Sequence, residues 1–180
     1  LLAGAGGPGV SQYLLAESAV DVDAFVSVQK MKNHAFMGVT LCTKNLFGLP
    51  PMEPYGRSRS YFHHIIRLSY VLVDLAQIVQ PTLSIIDGLV GQSGREWGGP
   101  GRIGDCLVAG DHPIATDACG THLMGYDPLA TDWPNQPFVR DRSHLHIAHE
   151  SGYGTVDLSQ IDFQSEVRAP VADFRTEETD

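Results

Sequence analysis

The chain is short of cysteine, of basic side chains and of long apolar runs, and each shortage removes a class of protein. Its three cysteines, Cys42, Cys106 and Cys119, stand far apart with no Cys-x-x-Cys pair. Neither a thiolate zinc site nor an iron–sulfur cluster contained within this chain can be built from them. An odd count without a signal-peptide pattern fits a reducing compartment, so the cytoplasm is the expected location. Twelve Lys and Arg stand against twenty-one Asp and Glu, a net charge of −9. That balance disfavours nucleic acid and anionic membrane as partners. No apolar stretch reaches the roughly 18–20 residues of a membrane span. What is present is globular: 180 residues, 43% of them hydrophobic and 18% charged, are enough for one domain with a core. The chain opens on Leu1 inside a Gly-rich run, which reads as the trace of a segment missing upstream.

Strands and helices alternate along the sequence. Ser11 to Ala19 reads as a short helix capped by Ser11, and residues 23–28 read as a strand. Pro50, Pro51, Pro54 and Gly56 mark a loop. Residues 58–79 read as a long helix ended by Gln80-Pro81, with an apolar stripe of Ile65, Leu68, Leu72, Leu75 and Val79. Thr82 to Ile86 is a buried-type strand, and Gly88 to Gly104 a loop with seven glycines. Cys106 to Ala109 is a further strand. Asp111 is the expected cap of a helix opened by Pro113 and ended at Gly125. Ser143 to Ser151 is another helix, and residues 155–168 suit an edge strand. The expected fold is α/β: a single layered domain over 1–170 with a mixed or mostly parallel sheet and helices on both faces. Residues 171–180 form a loose polar tail.

Three strand exits carry unusual chemistry, and ligands of open α/β sheets bind at such places. The first holds Lys30, Lys32, His34, Lys44 and Asn45, with three lysines within sixteen residues of an acidic chain. Ammonium groups supply point charge for carboxylate or phosphate, and amides add direction. The second holds Asp87 and the loop through Glu96, Gly98 and Gly99. So long a Gly-rich loop favours a lid or cradle, and Asp87 with His34 could take a divalent metal. The third holds Asp111 and Asp117. Asp117 stands among small apolar residues, where a carboxylate needs a partner such as Lys32 or Lys44. On the long helix His63, Arg67, Tyr70, Asp74 and Gln77 follow one face, and His63 and Arg67 could add ligand contacts. His144, His146 and His149 fit no zinc spacing and read as packing or surface residues. Gly4 to Gly9 matches G-x-G-x-x-G with Asp23 downstream, but no strand precedes it, so the match is weak.

Taken in order, Lys30-x-Lys32-x-His34, Thr40, Lys44-Asn45-Leu46-Phe47-Gly48, Ile86-Asp87-Gly88, Gly98-Gly99-Pro100, Ala109 to Asp117, Gly125 and Gly152-Tyr153-Gly154 resemble the signature of the domain of unknown function numbered 362. The resemblance runs from about Leu14 to Phe163, the C-terminal part of that pattern. It implies kinship with proteins often joined to ferredoxin-like iron–sulfur modules and carrying an α/β segment upstream. It names no reaction.

The leading expectation is a domain that binds a small anionic molecule. Lys30, Lys32 and Lys44 neutralise it and Asn45 orients it. His34 acts as acid, base or ligand, and Asp87 and Asp117 as base, ligand or lysine partner. The rival is a non-catalytic module docking on an iron–sulfur or redox protein through an apolar patch at Phe47, Leu49, Pro50 and Pro51. A third reading is a polar network of lysine–carboxylate pairs that only holds the sheet. A homo-oligomer is compatible with each.

Overall fold

Side chains alternate between faces from Val26 to His34, and that alternation makes the central strand of a sheet. The computed structural model describes residues 2–4, 9–35, 37–130 and 142–175. Strands β1 (Leu2–Gly4) and β2 (Gln12–Leu14) pair antiparallel as a small ribbon. Strands β3 (Val26–His34) and β4 (Gly38–Thr40) form a hairpin, followed by the four-residue helix α1 (Cys42–Asn45). Helix α2 (Leu68–Val79) leads into β5 (Leu83–Gln92) and β6 (Gly101–Gly110). Helices α3 (Pro113–Leu123) and α4 (His144–Glu150) follow. The main sheet has the order β4-β3-β5-β6, with β3 and β5 parallel and the other pairs antiparallel. This is a mixed four-stranded sheet with helices, an α/β domain as the alternation of elements predicts.

Helices α1 and α3 pack on one face of this sheet. The opposite face, where further helices are expected from the sequence, is open among the described residues. There Val26 is 51% exposed, Val28 57% and Leu107 63%. Two apolar cores result. Met31, Val39, Ile86, Val108, Ile114 and Leu145 fill the space between sheet, α3 and α4. Tyr13, Leu15, Phe47, Phe62, Leu68 and Leu72 fill a second core around α2. Helix α1 stands between them, giving Cys42 to the first core and the adjoining Leu46 to the second.

Several expected boundaries move, each for a local reason. Ser11 to Ala19 is not a helix: Tyr13 and Leu15 are both buried with a two-residue period, and only Glu17–Ala19 closes a 3₁₀ turn. The first strand runs on through the lysines to His34. The loop of seven glycines is largely a β-hairpin, with β5 reaching Gln92 and β6 starting at Gly101. Gly99 is needed in its turn, because a Cβ there would lie 1.9 Å from the Ser93 carbonyl oxygen. The long helix is interrupted, with Phe62–Arg67 wound as π-helix before α2 begins. Five-residue hydrogen-bond spacing rotates the faces, so Ile65 is 67% exposed while Leu68, Leu72 and Leu75 are buried. Phe62–Val79 together reach 18 residues at a mean hydropathy of 1.2, enough by length and composition to cross a membrane, contrary to the count from sequence. Its inward face belongs to the second core, which is how the core helix of a folded domain also reads. His112, not Asp111, caps α3, its Nδ1 accepting the Ile114 N–H at 3.3 Å.

Residues 155–168 do not form a strand. Asp157 draws in the Ser159 N–H at 3.0 Å and closes a 3₁₀ turn over Leu158–Gln160. Residues 171–175 are docked and not loose. Val171 N–H donates to the Leu123 carbonyl (2.9 Å), the Tyr126 hydroxyl donates to the Phe174 carbonyl (2.9 Å), and Phe174 is fully buried. Gly91 makes room for that ring, since a Cβ would stand 2.6 Å from it. The Gly4–Gly9 motif falls mostly outside the described residues, as do residues 176–180.

Candidate functional site

The site grows from the carboxyl end of β3. Lys32 and His34 lie on its last turns of pleat, Lys44 on α1, and His63 on the π-helical segment. The β5–β6 turn brings Glu96 over them. Lys32 Nζ donates to the Glu96 carbonyl at 3.3 Å. The Glu96 carboxylate accepts the Ala35 N–H at 3.0 Å and stands 3.9 Å from His34 Nε2. His34 Nδ1 accepts the Met37 N–H at 3.2 Å, which places the ring proton on Nε2, facing Glu96. Lys44 Nζ sits 4.7 Å above the centre of the Phe47 ring. The His63 ring meets the same Phe47 edge-on at 5.0 Å, and its Nδ1 lies 3.2 Å from the Arg59 carbonyl.

Burial and like charge govern the protonation of this group. Burial pulls His34 down to about 3, with Lys44, His63 and Lys32 adding to the shift. Lys44 is pulled down to about 8, again by burial first; Glu96 opposes, while Lys32 and Arg59 reinforce. His63 is lowered chiefly by burial. His144, the first residue of α4, is fully buried, and neither ring nitrogen has a hydrogen-bond partner among the described residues. Burial, His34 and Lys44 hold it at about 3. The arrangement is therefore a cluster of cationic and imidazole side chains faced, among the described residues, by the Glu96 carboxylate. Burial keeps the imidazoles of His34, His63 and His144 uncharged at neutral pH.

The other expected residues lie elsewhere. Lys30 pairs with Asp87 on the open sheet face, their side chains 40% and 33% exposed. That pair fits the network reading, and it holds the Asp87 carboxyl below its usual range. Asp117 is not partnered by Lys32 or Lys44. It accepts the Cys42 and Thr43 N–H groups, each at 2.8 Å, and so caps α1 from α3. Burial lifts its pKa to about 7 despite those bonds. Asn45 is spent on structure: its Oδ1 accepts from Gln29 Nε2 (3.2 Å) and its Nδ2 donates to Ser27 Oγ (3.2 Å). Arg67 is exposed at the junction with α2, with φ +81. Asp74, on the same expected stripe, is instead fully buried and accepts the Tyr13 hydroxyl at 2.5 Å. Gly98 and Gly99 shape the hairpin turn that carries Glu96. No group of three or more His, Cys, Asp or Glu side chains among the described residues is placed to hold a metal ion, and His34 and Asp87 do not come together. Of the patch expected for docking, Phe47 and Pro50 are buried while Leu49 and Pro51 stay partly exposed.

A groove of about 700 Å³ lies apart from this cluster, between β6, α3 and residues 161–167. Of the residues expected at the strand exits, Asp111 lines it. Glu96 and His144 are the participants that sequence patterning undervalued. Glu96 was visible only as a charge in a glycine-rich turn, and His144 only as a histidine without metal-ligand spacing.

Fold and site together define an α/β domain with a polar cluster at the exit of its central parallel strand. The chain belongs to the family described as Domain of unknown function (DUF362), which matches residues 5–122. It is 31% identical over 121 residues to the thylakoid-associated protein sll1697 of Synechocystis sp., covering 63% of this chain and 36% of that relative. The chain therefore spans little more than a third of the length of this curated relative. No solved structure matches it.

Proposed function

We propose that the domain binds a small anion, a carboxylate or a phosphate, between Lys32, His34, Lys44 and His63. The observation that carries this reading is Lys44. Its amine is partly buried and has no hydrogen bond or salt bridge among the described residues; it rests on the Phe47 ring and has its pKa lowered. A desolvated cation without a hydrogen-bonding acceptor is costly, and an anion would relieve that cost. Lys32 supplies a second charge, and the proton on His34 Nε2 supplies direction. Glu96 flanks the site from the hairpin turn and keeps the cluster from being wholly cationic. The histidines serve as neutral donors in this scheme. Anion binding would raise their pKa and bring a proton within reach of the ligand.

Thermal unfolding with inorganic phosphate or citrate tests this. A ligand at a hundredfold its Kd stabilises by about 2.7 kcal/mol, roughly 5–10 °C for a chain of this size. The midpoint should rise for the native chain and stay fixed for Lys44→Met. The reading fails if neither anion moves the native midpoint, or if Lys44→Met and His34→Gln respond as the native chain does.

A further inference from the structure

We propose that the groove beside β6 takes an extended, lysine-bearing segment of a partner protein, which joins the sheet as its next strand. β6 ends the sheet order, and among the described residues the backbone of 105–110 forms no hydrogen bond outside the sheet. Every residue from 105 to 110 lines the groove. Successive side chains of a strand point to opposite faces, so a cavity that all six line runs along the edge of the strand. Residues 161–167 form its far wall, and α3 adds Ala115, Cys119 and Leu123. A row of unpaired edge N–H and C=O groups is a template for another strand. Extended peptides use such edges, with main-chain bonds giving affinity and alternate side chains giving specificity.

Charge selects the occupant. Asp105, Asp111, Asp162 and Glu166 line the groove, and no Lys, Arg or His does. Among the described residues none of the four carboxylates belongs to an ion pair. Unanswered charge of one sign along a groove draws in a cationic segment and repels an acidic one. A second copy of this chain is disfavoured on that ground, because its own β6 edge would set Asp105 and Asp111 against their counterparts. A small organic cation would answer the carboxylates and leave the strand edge unpaired. β6 also sets the side-chain pattern of the occupant. Cys106 and Val108 are buried, whereas Asp105 and Leu107, on the other face, are exposed. A strand seated beside them turns alternate apolar side chains toward Val108 and Cys119, and lysines toward the exposed carboxylates.

The test is fluorescence anisotropy of a labelled Lys-Val-Lys-Val-Lys-Val peptide titrated with the 180-residue chain at low salt. Saturable binding is expected, roughly tenfold or more tighter than for the same peptide with Glu in place of Lys. Two further peptides carry N-methyl groups on the backbone nitrogens of the valines or of the lysines. Both keep the charge, and the one whose methyls face β6 should bind roughly tenfold or more weakly, having lost its main-chain donors. Asp162→Lys with Glu166→Lys should weaken binding of the unmodified peptide by a similar factor while the thermal midpoint holds. Asp105→Asn with Asp111→Asn serves the same purpose should that variant fail to fold. Absence of saturable binding to the native chain overturns the proposal. So does equal binding of the Glu peptide, of both methylated peptides, or of the unmodified peptide to a folded charge variant.

Discussion

Lys30 and Lys32 are two residues apart on one strand and meet opposite fates. Lys30 reaches Asp87 on the open face, while Lys32 turns to the Glu96 carbonyl beside Lys44 and His34. A plain strand would give the two lysines the same surroundings. Here the register with β5 slips between them: Lys30 stands opposite Asp87, but Lys32 stands opposite Gln92. The irregularity in the ladder inserts the start of the hairpin arm, so that one lysine faces a solvated carboxylate and the next faces a turn carrying Glu96. Bulges and slips are common beside functional sites because they re-aim side chains. Lys30 thus has a solvated carboxylate for its partner, and Lys32 a backbone carbonyl of the turn that carries Glu96.

The largest expected effect comes from the foundation of the inner group. Asp117→Ala removes the acceptor of two buried N–H groups at the start of α1, the helix that carries Lys44. A loss on the order of 3 kcal/mol in urea unfolding is expected, together with loss of any phosphate response. A loss under about 1 kcal/mol would mean that α1 does not depend on this cap.

Acid titration is next. His34 and His144 fall from 6.5 to about 3 on folding, so the unfolded chain binds more protons in that window. Stability is then lost as pH drops from 6.5 toward 3. His63 and His112, also lowered, act in the same sense. Asp117, raised from 3.8 to about 7, and Asp74, also raised, act oppositely. The histidines outnumber them, so the thermal midpoint should decline between pH 6.5 and 4. His144→Phe should flatten that decline; an unchanged slope would mean that His144 stays accessible to protons in the native state.

The smallest effect belongs to the outer pair. Lys30→Ala should cost less than about 1 kcal/mol, and less again in high salt. A larger, salt-independent loss would erase the contrast between the two lysines.

Much of this was legible in the sequence, and the failures share a physical cause. Alternating elements announced an α/β sheet, and the run from Lys30 to Asn45 announced a polar centre at a strand exit. The strand outruns its sequence signal because lysine and asparagine look like loop residues until burial of Met31 and Asn33 shows a period of two. The glycines from 88 to 104 signalled a loop, although several of them serve close strand contact in a hairpin. Asp117, a carboxylate among small apolar residues, needs a partner. Composition points to lysine, yet two backbone N–H groups do the work, and no residue-type argument can see backbone donors. His63 and Asp74 were placed on one helical face, and the π-helical winding before Leu68 parted them.

Helix α1 is only four residues long, yet it touches both cores and is tied to α3 through Asp117. So short a helix has little stability of its own. It exists because its neighbours on either side exist, and its loss would leave each of them with a bare flank. Lys44 thus rides on a hinge pin shared by two halves of the molecule. An anion that steadied Lys44 would slow amide hydrogen exchange in α2 and α3 together, although it touched neither helix.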